Sequence, residues 1–198
     1  MSRGVLDIYL LITFLGRECF LYYNKTMFTD PVKNLKAFGL REDSIVADLG
    51  AGTGYYSIAL GALVPRGKVY AVELQKDFLN TIKSKISEAR LNNIEIILGD
   101  VEKLGGTKLG DGTVDAVIAS NILFQVEDKE KFIEEIKRIL KPKGRVLLID
   151  WSESSIMSGN NIVPKDKARE MFEKKSFVLD REIDAGAHHY CMILVDAS

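Results

Sequence analysis

The sequence predicts an α/β fold: a doubly wound, mostly parallel sheet of seven strands, finished by an antiparallel C-terminal hairpin. Three observations carry this. Between Ser44 and Trp151, short apolar runs alternate with segments whose apolar residues recur at helical spacing, the pattern of a parallel sheet covered on both faces. The first run hands over to a helix through the glycine-rich stretch Gly50-Ala51-Gly52-Thr53-Gly54. The last two apolar runs are separated only by Asp184–His188, too short for the crossover that parallel strands require.

Taken in order, Ser44–Leu49 reads as a buried strand and Gly54–Val64 as a helix ending before Pro65. Lys68–Leu74 is a second strand, followed by a helix over Lys76–Leu91 with Phe78, Leu79, Ile82 and Ile86 as its apolar residues. Ile94–Asp100 and Val114–Ser120 are the third and fourth strands. A helix over Asp128–Lys141, stopped by Pro142, leads to the fifth, Gly144–Trp151. Lys165–Lys175 is helical, and Phe177–Ile183 and His189–Val195 are the hairpin strands.

At 198 residues, 46% hydrophobic and 28% charged, the chain is long enough to bury a full core as one domain. Its formal net charge of −1 gives no global attraction to nucleic acid or to an anionic membrane. The two cysteines, Cys19 and Cys191, lack metal-site or thiol-redox spacing and read as buried, inert thiols of a cytoplasmic protein. Residues 1–29 read as an apolar helical segment ahead of a domain spanning 30–198. The stretch 5–23 is apolar but broken by Asp7, Arg17 and Glu18, so it falls short of the ~20 uncharged residues of a spanning helix. It also lacks the basic start and cleavage site of a secretory signal. It is expected to pack on the domain, to lie over a cleft or to be dispensable, with peripheral membrane contact through residues 5–23 as the remaining alternative.

Ligands of open α/β sheets sit beyond the carboxyl ends of the strands. Those ends carry Asp48-Leu49-Gly50, Glu73-Leu74, Asp100-Val101, Ser120-Asn121 and Asp150-Trp151. Polar residues therefore stand where a ligand site would be, although a single acid at such a place also serves as a helix cap or turn residue. Bare glycine backbone at a helix start suits a nucleotide-like ligand. The spacing is G-x-G-x-G and departs from the G-x-G-x-x-G of pyrophosphate-binding loops, which disfavours a nicotinamide-dependent oxidoreductase.

Asp48 with the Gly50–Gly54 loop resembles the first motif of the class I S-adenosylmethionine-dependent methyltransferases. Val69–Leu74 resembles the second and Leu98–Leu104 the third, and Val114–Asp150 is similar to the stretch running from the fourth strand through the fifth. The likeness is to the small methyltransferases grouped with the ubiquinone/menaquinone biosynthesis enzymes, over about residues 30–150 and more loosely over 165–195. The resemblance implies a Rossmann-like fold with S-adenosylmethionine as cofactor. Its binding residues would be Asp48, Gly50, Ala51, Gly52, Gly54, Glu73, Leu74, Asp100, Val101, Ser120 and Asn121, with Glu73 on the ribose hydroxyls and Asp100 beside the adenine. Methyl transfer is an in-line displacement from a good leaving group. Proximity and orientation then carry catalysis, with a base only where the acceptor must lose a proton.

A small-molecule acceptor is expected, its nucleophilic atom (oxygen, nitrogen or carbon) left open. The Asn/Asp-Pro-Pro-aromatic motif of enzymes that methylate base amino groups is absent, Ser120–Gln125 reading SNILFQ, and no Pro-Cys nucleophile occurs. Relatives often carry histidines where this chain has Asn121–Val126. His188 and His189 are its only histidines; neighbours on a strand face opposite sides, so they do not jointly hold a metal, and none is expected. The resemblance makes the sixth strand parallel, which puts the following turn at the ligand end. One imidazole would then face the acceptor near Asp150, Trp151 and Glu153. His189, His188 and Asp150 are thus the candidate catalytic groups, a histidine base titrating near its ordinary ~6.5. A purely structural histidine pair is the alternative. The competing function is a methyltransferase-like protein that binds cofactor or a partner without turnover.

Overall fold

The computed structural model describes residues 29–153 and 161–198. The apolar stretch 5–23 and Cys19 lie outside the described residues. The chain divides into two units, Met1–Asp30 and Pro31–Ser198.

The second unit contains α1 (Pro31–Phe38), β1 (Ile45–Leu49), α2 (Tyr55–Leu63), β2 (Lys68–Glu73), α3 (Lys76–Glu88) and β3 (Ile94–Leu98). It continues with β4 (Val114–Ser120), α4 (Lys129–Ile139), β5 (Leu140–Trp151), α5 (Lys165–Glu173), β6 (Phe177–Glu182) and β7 (His189–Asp196). The strands form one seven-stranded sheet in the order β3-β2-β1-β4-β5-β7-β6. β1 to β5 pair in parallel, and β7 is antiparallel to both β5 and β6. The strand order reverses between β1 and β4, and the carboxyl ends of β1 to β5 meet the start of β7 on one side of the sheet.

Period-two alternation of continuous apolar strands builds two cores. Val46, Ile118, Leu147, Ile149, Cys191 and Ile193 pack with Leu35 and Phe38 of α1 and Tyr56 and Leu60 of α2. Leu49, Val117, Leu148, Met192 and Leu194 pack with Phe132 and Ile136 of α4 and Phe172 of α5. Burial pushes the Cys191 thiol up to about 12, which leaves it inert. No helix among the described residues is long and apolar enough to cross a membrane.

Two local features depart from the sequence reading. α1 was not anticipated. Arg145 closes it by donating to the carbonyls of Phe38 (3.0 Å) and Gly39 (2.9 Å) while its guanidinium lies 4.7 Å over the Phe38 ring. α4 ends at Ile139, and β5 begins at once at Leu140 and passes through Pro142. The ladder tolerates this because pairing jumps from Val114↔Leu140 to Ala116↔Arg145, so Pro142 sits in a bulge where its missing N–H costs no ladder bond.

Glu135 of α4 has no exposed surface. It accepts from the backbone N–H groups of Gly105 (2.8 Å) and Thr107 (3.1 Å) and from the Thr107 hydroxyl, and it pairs with Arg138 at 2.7 Å. This anchors the connection from β3 to β4. Burial raises the carboxyl, but Arg138, the Thr107 hydroxyl and the two amides outweigh it and bring it down to about 2. A carboxyl depressed in the fold stabilises above its unfolded value, and that stability is lost as pH falls toward the folded one. Between pH 5 and pH 3 the protein should therefore lose about 2 kcal/mol through this group. Urea titrations of Glu135→Gln should show that increment missing from its pH dependence; an unchanged slope would remove Glu135 from this role.

Candidate functional site

The glycine loop leaves β1 laced to β2: the N–H groups of Gly50 (2.9 Å) and Ala51 (3.0 Å) both donate to the carbonyl of Val72. Gly50 has φ +70°, which favours glycine, and a Cβ there would fall 2.3 Å from Ile122 Cδ1, so a side chain would have to displace the tip of Ile122. Gly52 has φ +53° and only the Gly50 carbonyl, 3.9 Å away, near its missing Cβ. Its backbone thus lies open on one side. Beneath, Asp48 is buried and accepts from the Ser57 hydroxyl at 2.5 Å, tying the strand end to the first turn of α2. Burial pushes this carboxyl up to about 6.

Glu73, closing β2, is 6% exposed, and its carboxylate accepts from the N–H groups of Gly52 (2.8 Å), Leu74 (2.9 Å) and Gln75 (2.8 Å). A carboxylate has about four acceptor sites, so capacity for a ligand hydroxyl remains. The neighbouring Leu74 is 61% exposed, an apolar side chain set beside a polar strand end. At the end of β3, Asp100 accepts from the N–H of Glu102 (3.1 Å) and pairs with Lys103 at 2.8 Å; the Lys103 hydrogen bond holds its carboxyl below the usual range. Val101 is partly buried against the core. Ser120 ends β4, and Asn121, at φ +52°, donates its N–H to the Ile149 carbonyl (2.8 Å) while its Oδ1 is buried without a partner. Open glycine backbone, a carboxylate with acceptor capacity to spare and the apolar Leu74 side chain have the chemistry that a nucleoside with a charged tail needs.

Across the switch point, Trp151 and His189 are register partners on β5 and β7, with ring centroids 4.1 Å apart and planes 34° apart. His189 is 7% exposed; burial lowers it to about 4, and its Nε2 has no partner. This corrects the expectation of a base near 6.5, since the imidazole is neutral and weakly basic through the working range. Asp150 is corrected as well. One residue from Trp151, it faces the opposite side of the sheet, opposite Tyr190. Its carboxylate is spent on the N–H groups of Leu123 (2.7 Å) and Trp151 (2.8 Å), holding the segment after β4, and burial pushes it up to about 6. It does not form an acid–base pair with His189. His188 accepts from the Ser152 N–H through its carbonyl (2.9 Å), and its Nδ1 is unpartnered, as is the Tyr190 hydroxyl.

Asn34 was not read from the sequence. It is 1% exposed on α1, donates through Nδ2 to the Tyr56 hydroxyl (2.9 Å) and leaves Oδ1 unpartnered. Only the helical pattern of α1 could have signalled it. Among the described residues the buried polar atoms without partners are Asn34 Oδ1, Asn121 Oδ1, His188 Nδ1, His189 Nε2 and the Tyr190 hydroxyl. All stand at the carboxyl end of the sheet, Asn34 through its bond to the first turn of α2. Each such group costs roughly 1–3 kcal/mol if nothing satisfies it. No cluster of three or more metal-binding side chains occurs among the described residues.

The raised carboxyl of Asp48 has a measurable consequence. A folded value above the unfolded one means that the native state holds the proton longer, so stability falls as pH rises through that window. Asp48→Asn keeps an acceptor for Ser57 and removes the charge. Relative to wild type it should gain roughly 1–2 kcal/mol between pH 5 and pH 8 by denaturant titration. A difference that stays flat with pH would show that Asp48 ionises normally. For the same structural reason, ¹⁵N NMR should find His189 titrating near 4.

A family model described as a methyltransferase domain matches residues 47–148. The chain is 27% identical over 124 residues to the demethylmenaquinone methyltransferase of a Geobacillus species, covering 62% of this chain and 52% of that one. It is 32% identical over 117 residues to the ubiquinone/menaquinone biosynthesis C-methyltransferase of Pasteurella multocida, covering 58% of this chain and 42% of that one. It spans about half the length of these curated relatives. Among solved structures, a SAM dependent methyltransferase from Aquifex aeolicus matches with a TM-score of 0.79 and 28% identity, over 88% of this chain and 93% of that one. Taken with a glycine loop pinned by the acid that closes β2, this shows that the chain belongs to the class I S-adenosylmethionine-dependent methyltransferases.

Proposed function

We propose that this protein transfers a methyl group from S-adenosylmethionine to a small-molecule acceptor. The observation that carries the reading is the Gly50–Gly54 loop held by Glu73, which presents open backbone beside a buried carboxylate. When bound, the cofactor would supply a methyl group on a sulfonium, which the acceptor takes by in-line attack at carbon as the neutral thioether leaves with the bonding pair, any acceptor proton passing to solvent. Glu73 holds the ribose, the glycine loop accommodates the methionine end, and Leu74 with Val101 flanks the base; Asp48 acts from beneath by fixing the loop to α2. The protein's contribution to rate is then positioning. The names of the relatives favour a quinone-related ring as acceptor, and the Pasteurella relative is named a C-methyltransferase.

Calorimetry with S-adenosylmethionine tests the cofactor half. Glu73→Ala should weaken binding by roughly 1.5–3 kcal/mol, the loss of a charged hydrogen-bonding group. Gly52→Val should bind less still, because a β-branched side chain is strained at φ +53° and projects into the open side of the loop. Wild-type affinity in either variant, with native circular dichroism, would displace the cofactor from this loop.

A further inference from the structure

The buried polar atoms without partners divide across the site. The glycine loop, Glu73 and Asp100 claim the ends of β1, β2 and β3. Asn121 stands at the end of β4; beyond it, His189 and Trp151 share the face of β5 and β7 that α1 and α2 cover, while Tyr190 lies with Asp150 on the other face. Asn34 joins them from α1, which is held to the turn before β7 by Lys33 and Asp184 at 3.0 Å. We propose that this second half is the acceptor pocket and that His189, backed by Trp151, reads the acceptor. In this assignment Nε2 takes a hydrogen bond from a hydroxyl of an uncharged acceptor. The inference rests on the methyl-transfer reading above and deepens it.

Three features converge. His189 is more than nine-tenths buried, yet its Nε2 meets nothing. A polar atom withdrawn from water without a partner is ordinarily satisfied by something the fold is built to admit. The ring is also fixed: cross-strand pairing sets its backbone, and the tilted stack on Trp151 at 4.1 Å sets its plane, so Nε2 points in one direction. Finally, the unpartnered atoms on this face, Asn34 Oδ1 and His189 Nε2, belong to an amide and to an imidazole whose charging burial disfavours, Asp150 faces the other side of the sheet, and Lys33 is engaged with Asp184. An anionic acceptor would find no free cation among these groups, whereas a hydroxyl finds acceptors in His189 Nε2 and Asn34 Oδ1.

The test uses the full chain, ¹⁵N-labelled at histidine and saturated with S-adenosylhomocysteine, titrated with 1-naphthol, 1-methoxynaphthalene and 1-naphthoate. 1-Naphthol should bind at least about tenfold more tightly than either of the others, and the His189 Nε2 resonance should move with 1-naphthol alone. His189→Phe, which keeps the ring against Trp151, should erase the preference while S-adenosylhomocysteine affinity stays within about twofold. Equal binding of the three probes, no saturable 1-naphthol binding, an unmoved Nε2 or a preference surviving in His189→Phe would each overturn the proposal. Should that variant misfold, the wild-type resonance decides. Failure of S-adenosylhomocysteine itself to bind would instead overturn the cofactor reading, and this inference with it.

Discussion

The carboxylate of Glu73 is the interaction on which the site is built. It is nearly withdrawn from water, a costly place for a charge, and it is held there by three backbone N–H groups from two different segments. One comes from Gly52, in a loop of positive-φ glycines otherwise held by the Val72 carbonyl and the Gly54–Ala51 turn; the others come from the residues that follow β2. The same acid therefore fixes the glycine loop and the exit of the second strand. With the Val72 carbonyl receiving Gly50 and Ala51, the binding surface becomes an extension of the β1–β2 ladder, among the most buried pairings in the molecule.

Two buried aspartates repeat this logic on opposite faces. Asp48 lies under α2 and holds Ser57; Asp150 lies toward α4 and holds Leu123. Both are pushed up to about 6 by burial, so each segment is fixed at an electrostatic cost that hydrogen bonds only partly offset. The two segments meet where Ile122 fills the space that a side chain at position 50 would need. Floor and wall of the site thus touch through Ile122, and the glycine at 50 is demanded first by its positive φ.

The architecture was legible in the sequence because buried parallel strands declare themselves as continuous apolar runs, and because a five-residue connection leaves only an antiparallel hairpin. What escaped depends on distant partners. α1 is short, and it is closed by Arg145, which comes from β5 and leaves no local trace. Pro142 read as the stop of a helix, whereas α4 ends three residues earlier and Pro142 sits in a bulge whose existence depends on pairing with β4. At the site, the acids and glycines of the first three strand ends could be read from position alone, since the topology puts them together. The roles of Asp150 and His189 could not. Alternation along a strand separates Asp150 from Trp151, but only the register of β7 on β5 reveals that His189 joins Trp151 and leaves Asp150 to the other face.

The distribution of charge suits the chemistry of this family. A sulfonium loses its positive charge as the methyl group departs, so a carboxylate fixed beside it would stabilise the reactant more than the transition state and slow the transfer. The acids that close β1, β2, β3 and β5 are engaged with the protein: Glu73 with three backbone amides, which leave it about one acceptor site, Asp48 with Ser57, Asp100 with Lys103 and Asp150 with Leu123 and Trp151. The uncommitted groups include the amides of Asn34 and Asn121 and the imidazole of His189, which burial holds neutral. The same desolvation that makes His189 a poor base makes it a dependable hydrogen-bond acceptor at any pH above about 4. Positioning by neutral groups is the arrangement that suits a displacement with a good leaving group, because it would orient an acceptor without opposing the disappearance of charge.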